Sequence, residues 1–99
     1  EGLSLADAKK SGRFYKAEWG FKMFLEGTIW TGSIDLIFQK AEGTYLIVDY
    51  KSDENVNPDK YTGQQNCYRK AAARMLKVPE SQIECKLWFM KSNKFVKIF

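Results

Sequence analysis

Thr28-Ile-Trp-Thr-Gly-Ser-Ile-Asp-Leu-Ile-Phe-Gln39, then Lys40-Ala-Glu-Gly43, then Thr44-Tyr-Leu-Ile-Val-Asp-Tyr-Lys51 decide how this 99-residue chain folds. The first and last stretches are rich in Ile, Trp, Thr, Val and Tyr, the residues that suit a pleated, half-buried surface. Between them, Ala41-Glu42-Gly43 forms a three-residue turn with Gly placed for a left-handed bulge. Tyr45 to Val48 is a continuous apolar run, as expected of a strand covered on both faces. Upstream, Tyr15 to Leu25 alternates and predicts a first strand, with Ala17, Trp19, Phe21, Met23 and Leu25 on one face. Glu26-Gly27 is the two-residue turn that joins it to the second. Ser4 to Lys10 reads as the last turns of a helix ended by Ser11-Gly12.

Downstream, Ser52 to Pro58 is polar, with Asn57 suited to a helix N-cap and Pro58 to the first helical position. Asp59 to Leu76 then reads as a helix, with Tyr61, Gln64, Tyr68, Ala71, Ala72 and Met75 on one stripe, stopped by Val78-Pro79. Ile83 to Met90 is a fourth strand, Lys91 to Lys94 a turn and Phe95 to Phe99 a fifth strand. A strand, a helix and a strand in sequence imply a crossover between parallel neighbours. The fold class is therefore α/β (α+β): a mixed sheet made of a three-strand antiparallel meander, a packed helix and a returning strand.

The length allows one domain, 1–99, with one modest core. No apolar run approaches the roughly 18 residues of a membrane span, and the start lacks a signal pattern. The absence of His excludes Ser-His-Asp and Cys-His nucleophiles and His-bound zinc within these residues. Cys67 and Cys85 are too few for a disulfide framework or a zinc cluster and read as reduced thiols in a cytoplasmic setting. Charge is uneven: residues 1–59 hold 7 basic and 10 acidic side chains, residues 60–99 hold 9 and 2. A basic half beside clustered carboxylates points to an anionic polymer, although a solvated Lys-rich surface would look the same.

Turn geometry places those carboxylates. The turn at 41–43 sets Lys40 opposite Thr44 and, counting back, Asp35 opposite Asp49. The turn at 26–27 sets Leu25 opposite Thr28 and Glu18 opposite Asp35. Glu18, Asp35 and Asp49 then form a row across three strands, with neighbouring Cβ atoms about 5 Å apart. Like charges facing each other destabilise a sheet, and a hard divalent cation such as Mg²⁺ or Mn²⁺ supplies a reason for them. The period of two puts Lys51 on the face of Asp49. Metal-bound carboxylates beside an ammonium are a set suited to phosphodiester hydrolysis. On an exposed edge, the same Asp-x-Lys would be ordinary cross-strand charge pairing.

Three segments carry a resemblance: Gly32-Ser-Ile-Asp35, Asp49-Tyr-Lys-Ser-Asp53 and Gln64-Gln-Asn-Cys-Tyr68. In order and spacing they resemble the G-x-I-D, D-Y-K-[ST]-D and Q-x-x-x-Y motifs of PD-(D/E)XK nucleases of the RecB type. They are most like the C-terminal nuclease domain of AddA-like UvrD/Rep-class helicase–nucleases. Ala17-Glu-Trp-Gly-Phe21 is similar to the family's Glu-x-Pro-Phe strand, with Gly20 where Pro is usual. The resemblance implies a restriction-endonuclease-like core and a Mg²⁺-dependent deoxyribonuclease, with Mn²⁺ as substitute, acting in DNA end processing, recombination and repair. It implies that Asp35, Asp49 and the carbonyl of Tyr50 bind the metal and that Lys51 is the catalytic lysine. Gln64 and Tyr68 would contact DNA or brace the site, Gln65 being the less favoured glutamine, and Glu18 would support it. The basic helix, with Lys60, Arg69, Lys70 and Arg74, would meet the DNA backbone. A second helicase–nuclease subunit is a further partner.

The resemblance departs at one point. RecB-type nucleases carry a metal-binding His on a helix before the first strand, and this chain has no His. The expected reason is a fragment that starts after that helix, the alternative being a degenerate, inactive member. A non-catalytic nucleic-acid-binding or subunit-interaction module on the same fold therefore stands beside the nuclease reading. A protein-interaction domain anchored by Trp30 or Trp88 is the third.

Overall fold

The computed structural model of the chain describes residues 10–52 and 58–99. Strands β1 (Tyr15–Leu25), β2 (Thr28–Gln39), β3 (Tyr45–Lys51), β4 (Ile83–Phe89) and β5 (Lys94–Lys97) form one sheet in that order. The β1–β2–β3 meander is antiparallel, β4 runs parallel to β3, and β5 returns antiparallel to β4. The helix α1 (Thr62–Leu76) makes the β3–β4 crossover. This is the expected architecture. The Asn57 cap and the helix expected at Ser4 to Lys10 lie outside the described residues, apart from the helical Lys10.

Both turns set the expected registers. Glu26 and Gly27 have φ of 52° and 77°, the left-handed pair that matches the twist of a two-residue hairpin, and Leu25 faces Thr28. In the second turn Gly43 has φ of 100°, and the Lys40 N–H donates to Thr44 O at 2.7 Å. The α-helix starts later than the periodicity predicts: Pro58–Tyr61 is a 3₁₀ turn and α1 begins at Thr62. It ends with Lys77 in the left-handed conformation, its N–H donating to Ala73 O, before Val78 and Pro79. β5 is shorter than expected, although the chain still pairs at Ile98 and Phe99 through Cys85.

The strand face expected for β1 is broken at Glu18. Tyr15 packs with Leu36, Phe38, Leu46 and Val48 on one side of the sheet. Trp19, Phe21, Met23 and Leu25 pack with the helix on the other, and Ala17 is exposed. Glu18, at φ 49°, is the residue where β1 changes phase. β2 changes phase opposite it, since Ile34 is in the helix-side cluster and Leu36 in the other. The ladder accordingly skips Glu18 and Asp35 while keeping the same register on both sides. Beyond that point the hairpin turns its apolar face to α1: Phe21 meets Tyr68 edge-on at 5.7 Å, and Arg74 Nη1 donates to Phe24 O at 3.0 Å.

Ala71, Ala72 and Ala73 are all buried. Three consecutive residues cover more than half a helical turn, so the helix is covered on two sides, by the sheet and by the hairpin. The buried stripe also takes in Gln65, while Met75 is 37% exposed, so the face differs from the predicted one. Ile34, Ile37, Ile47, Ile83, Leu87 and Phe89 are at most 1% exposed. Each contributes about 1.5–3 kcal/mol, enough together to offset the cost of burying a carboxylate among them.

Candidate active site

The β2–β3 ladder stops at Leu36↔Val48. One step further, where Asp35 and Asp49 would face each other, the strands part and a side chain replaces the backbone bond. Asp35 Oδ2 accepts the N–H of Tyr50 at 2.9 Å. The two carboxyls still come within hydrogen-bond contact. Asp49 is held from the other side by β4, in register with Leu87, and is 4% exposed.

The alternation of β3 turns Asp49 and Lys51 toward α1. Lys51 Nζ lies 2.7 Å from Asp49 Oδ2, donates to Gln64 Oε1 at 3.0 Å and sits 4.1 Å from the centre of the Tyr61 ring. Gln65 Nε2 donates to Asp49 Oδ2 at 2.9 Å. Burial first, then the hydrogen bond to Asp35, push the Asp49 carboxyl up to about 6, against the pull of Lys51. The Tyr68 hydroxyl is also raised, by burial and then by the negative charges of Asp49 and Asp35, with the Gln64 amide bonded to it acting the other way.

Two sequence expectations need correction. The three-carboxylate row does not form. Glu18 is exposed at the phase break, and the described residues contain no group of three His, Cys, Asp or Glu side chains able to hold a metal. A hairpin count assumes an unbroken pleat, and here both strands twist out of phase at the same step. The second concerns the glutamines. Gln64 reaches Lys51, but the less favoured Gln65 is fully buried against the aspartate, with its own Oε1 the one partnerless buried side-chain atom among the described residues. The three-residue step from Gln65 to Tyr68 would have flagged it, since i,i+3 neighbours share a helix face as well as i,i+4 ones do.

Gly32, from the first motif, has a packing role. A Cβ there would stand 3.0 Å from the Phe21 ring and 3.3 Å from Tyr68, so its absence lets the hairpin close on α1 beside the site. The basic face of α1 is more engaged than its charge implies. Arg69 donates to Ile83 O at 3.1 Å and lies 4.9 Å over Phe99. Lys70 pairs with Glu80 at 3.4 Å, and Arg74 holds the Phe24 carbonyl. Lys60, over the Tyr61 ring, stands at the site end.

Comparison with protein families matches residues 3–98 to the PD-(D/E)XK nuclease superfamily. The chain belongs to this superfamily. Comparison with curated proteins gives no match. PD-(D/E)XK proteins are generally nucleases that act on nucleic acid with divalent metals. The donor set here fits such an ion: two adjacent carboxylates are hard oxygen donors, and Mg²⁺ commonly takes one or two carboxylates and fills its remaining positions with water. Cys67 and Cys85 are free thiols, and burial drives Cys85 up to about 12. No helix among the described residues is long and apolar enough to cross a membrane.

Proposed function

We propose that this chain is the metal-dependent deoxyribonuclease domain of a helicase–nuclease that processes DNA ends in recombination and repair. The observation that carries this reading is the meeting of Asp35, Asp49 and Lys51 where β2 and β3 part, with Lys51 2.7 Å from Asp49. Asp35, Asp49 and the Tyr50 carbonyl would hold Mg²⁺, or Mn²⁺ in its place. An ion held there would supply Lewis acidity toward the scissile phosphate and toward the attacking water.

The chain's own groups do the rest. The Lys51 ammonium, held at the Asp49 edge by Gln64 and Tyr61, would orient the attacking water and stabilise charge building on the phosphate. Gln65 fixes the Asp49 carboxylate from below, and Tyr68 braces Gln64 from the helix. Lys60 supplies a phosphate contact at the site end. Burial of Asp49 keeps its charge in a low-dielectric setting, where its interaction with a cation is strong.

The test is cleavage of end-labelled linear DNA with Mg²⁺ or Mn²⁺, against Asp49→Ala and a chelator control. Metal-dependent cleavage that disappears in the variant is the expected result. DNA binding without cleavage under every metal condition would favour the second reading, a non-catalytic nucleic-acid module. That reading is motivated by the lack of a third acidic or His ligand among the described residues.

A further inference from the structure

On the sheet face away from α1, Tyr50, Trp88 and Phe95 are direct register partners on β3, β4 and β5. Tyr50 and Trp88 meet edge-on at 5.5 Å, and Trp88 and Phe95 lie parallel, 2° apart in plane, at 5.5 Å. Trp88 is tied down: it packs on the Leu36, Phe38, Leu46 and Val48 cluster, and its Nε1 donates to Asn93 Oδ1 at 3.2 Å. Tyr50 and Phe95 are 41% and 39% exposed. Cross-strand aromatic pairing accounts for the contacts among the three rings, but not for the exposure of Tyr50 and Phe95.

The surroundings are cationic. Residues 85–99 carry Lys86, Lys91, Lys94 and Lys97 and no acid. Lys86 and Lys97 are cross-strand partners, two residues along from Trp88 and Phe95 and thus on the same face. The row also starts at the site: the Tyr50 N–H is the one bound by Asp35.

We propose that Tyr50, Trp88 and Phe95, with the lysines beside them, form a stacking platform for single-stranded DNA leaving the candidate active site. The proposal deepens the nuclease reading and rests on it for the substrate. A path from the helix side of β3 to its opposite face turns sharply over the strand ends. Duplex DNA, with a persistence length of about 150 base pairs, does not make that turn, and its bases are hidden from the rings. A single strand bends freely and offers a base face that stacks irrespective of sequence. The exposed side of Phe95 would continue the Trp88–Phe95 stack with a base, and Lys97, on the same face, would meet a phosphate.

The test is fluorescence anisotropy in metal-free buffer, with labelled oligo-dT of about 12 nucleotides and a duplex of equal length. Phe95→Ala should weaken oligo-dT binding about tenfold and leave duplex binding almost unchanged, and Phe95→Tyr should restore it. Lys97→Ala should lower the salt dependence by about one phosphate contact. Circular dichroism melts check that each variant folds, with Phe95→Leu as the replacement if Phe95→Ala does not. Equal losses on oligo-dT and duplex, or native-like binding by a folded Phe95 variant, would overturn the platform. Failure of the native chain to bind oligo-dT would also overturn it, while metal-dependent cleavage of duplex would leave the nuclease reading standing.

Discussion

At its first turns α1 points Gln64, Gln65 and Tyr68 at charged groups of β2 and β3, whereas its second half buries Ala71, Ala72 and Ala73 between sheet and hairpin. The cations of the second half serve the fold: Arg69, Lys70 and Arg74 bind Ile83 O, Glu80 and Phe24 O. At the site end an ammonium and two carboxyls crowd together, and one carboxyl is pushed well above its usual range. One helix thus joins a region satisfied by its own contacts to a region that holds its charges under tension. The satisfied half anchors the helix, and the strained half has an unmet demand for positive charge that a divalent cation would supply.

The largest expected effect tests that demand. Asp49→Ala should reduce metal-dependent cleavage to background while the chain still folds, as read by end-labelled DNA and a thermal melt. In the metal-free state Asp49→Asn should melt no lower than the native chain at pH 8, because it removes a charge whose burial the fold opposes. The pH sign follows from the same carboxyl, raised from 3.8 to about 6. The folded state holds that proton more tightly than the unfolded chain does, so this contribution to metal-free stability is full below pH 4 and is lost as pH rises through 6. Metal binding must displace the proton, so Mn²⁺ affinity measured by calorimetry should rise over the same interval.

Lys51→Met comes next. It should abolish cleavage and leave Asp49 buried without its partner, at a cost of about 3 kcal/mol at pH 8. Denaturant melts should show that cost shrinking toward pH 5, where Asp49 takes up a proton. Gln65→Met removes the amide that holds Asp49, and Mn²⁺ affinity should fall about 10- to 100-fold, as for other residues that orient a ligand from behind. Gly32→Ala forces a Cβ against the Phe21 ring and should cost about 1–3 kcal/mol in a melt. The smallest effect is expected in the satisfied half. Arg74→Met should cost about 1 kcal/mol through the lost bond to Phe24 O and leave cleavage unchanged. A large fall in DNA affinity in that variant would make Arg74 a DNA contact instead and blur the contrast between the two halves.

Most of the strand order was legible because each turn carries its own chemistry. Glu26-Gly27 and Ala41-Glu42-Gly43 set two registers, and the polar stretch and helix after Lys51 imposed the parallel return. Asp35, Asp49 and Lys51 followed from those registers. The α1 face was not legible, since a helix covered on two sides does not show the single apolar stripe that periodicity seeks. Gln65 is legible only as an i,i+3 neighbour of Tyr68, since the carboxylate that it meets comes from another element.

By itself the sequence determined what is local or periodic: where strands turn, which residues face each other across a hairpin, and which motifs recur in order. The tertiary structure decided where that periodicity fails. β1 and β2 change phase together at Glu18 and Asp35, which removes Glu18 from the row and opens the fork that Asp35 closes with the Tyr50 N–H. Such a break arises from wrapping the hairpin over a helix many residues away. A local pattern holds no information about that cost, because only the packed chain brings the two surfaces into contact.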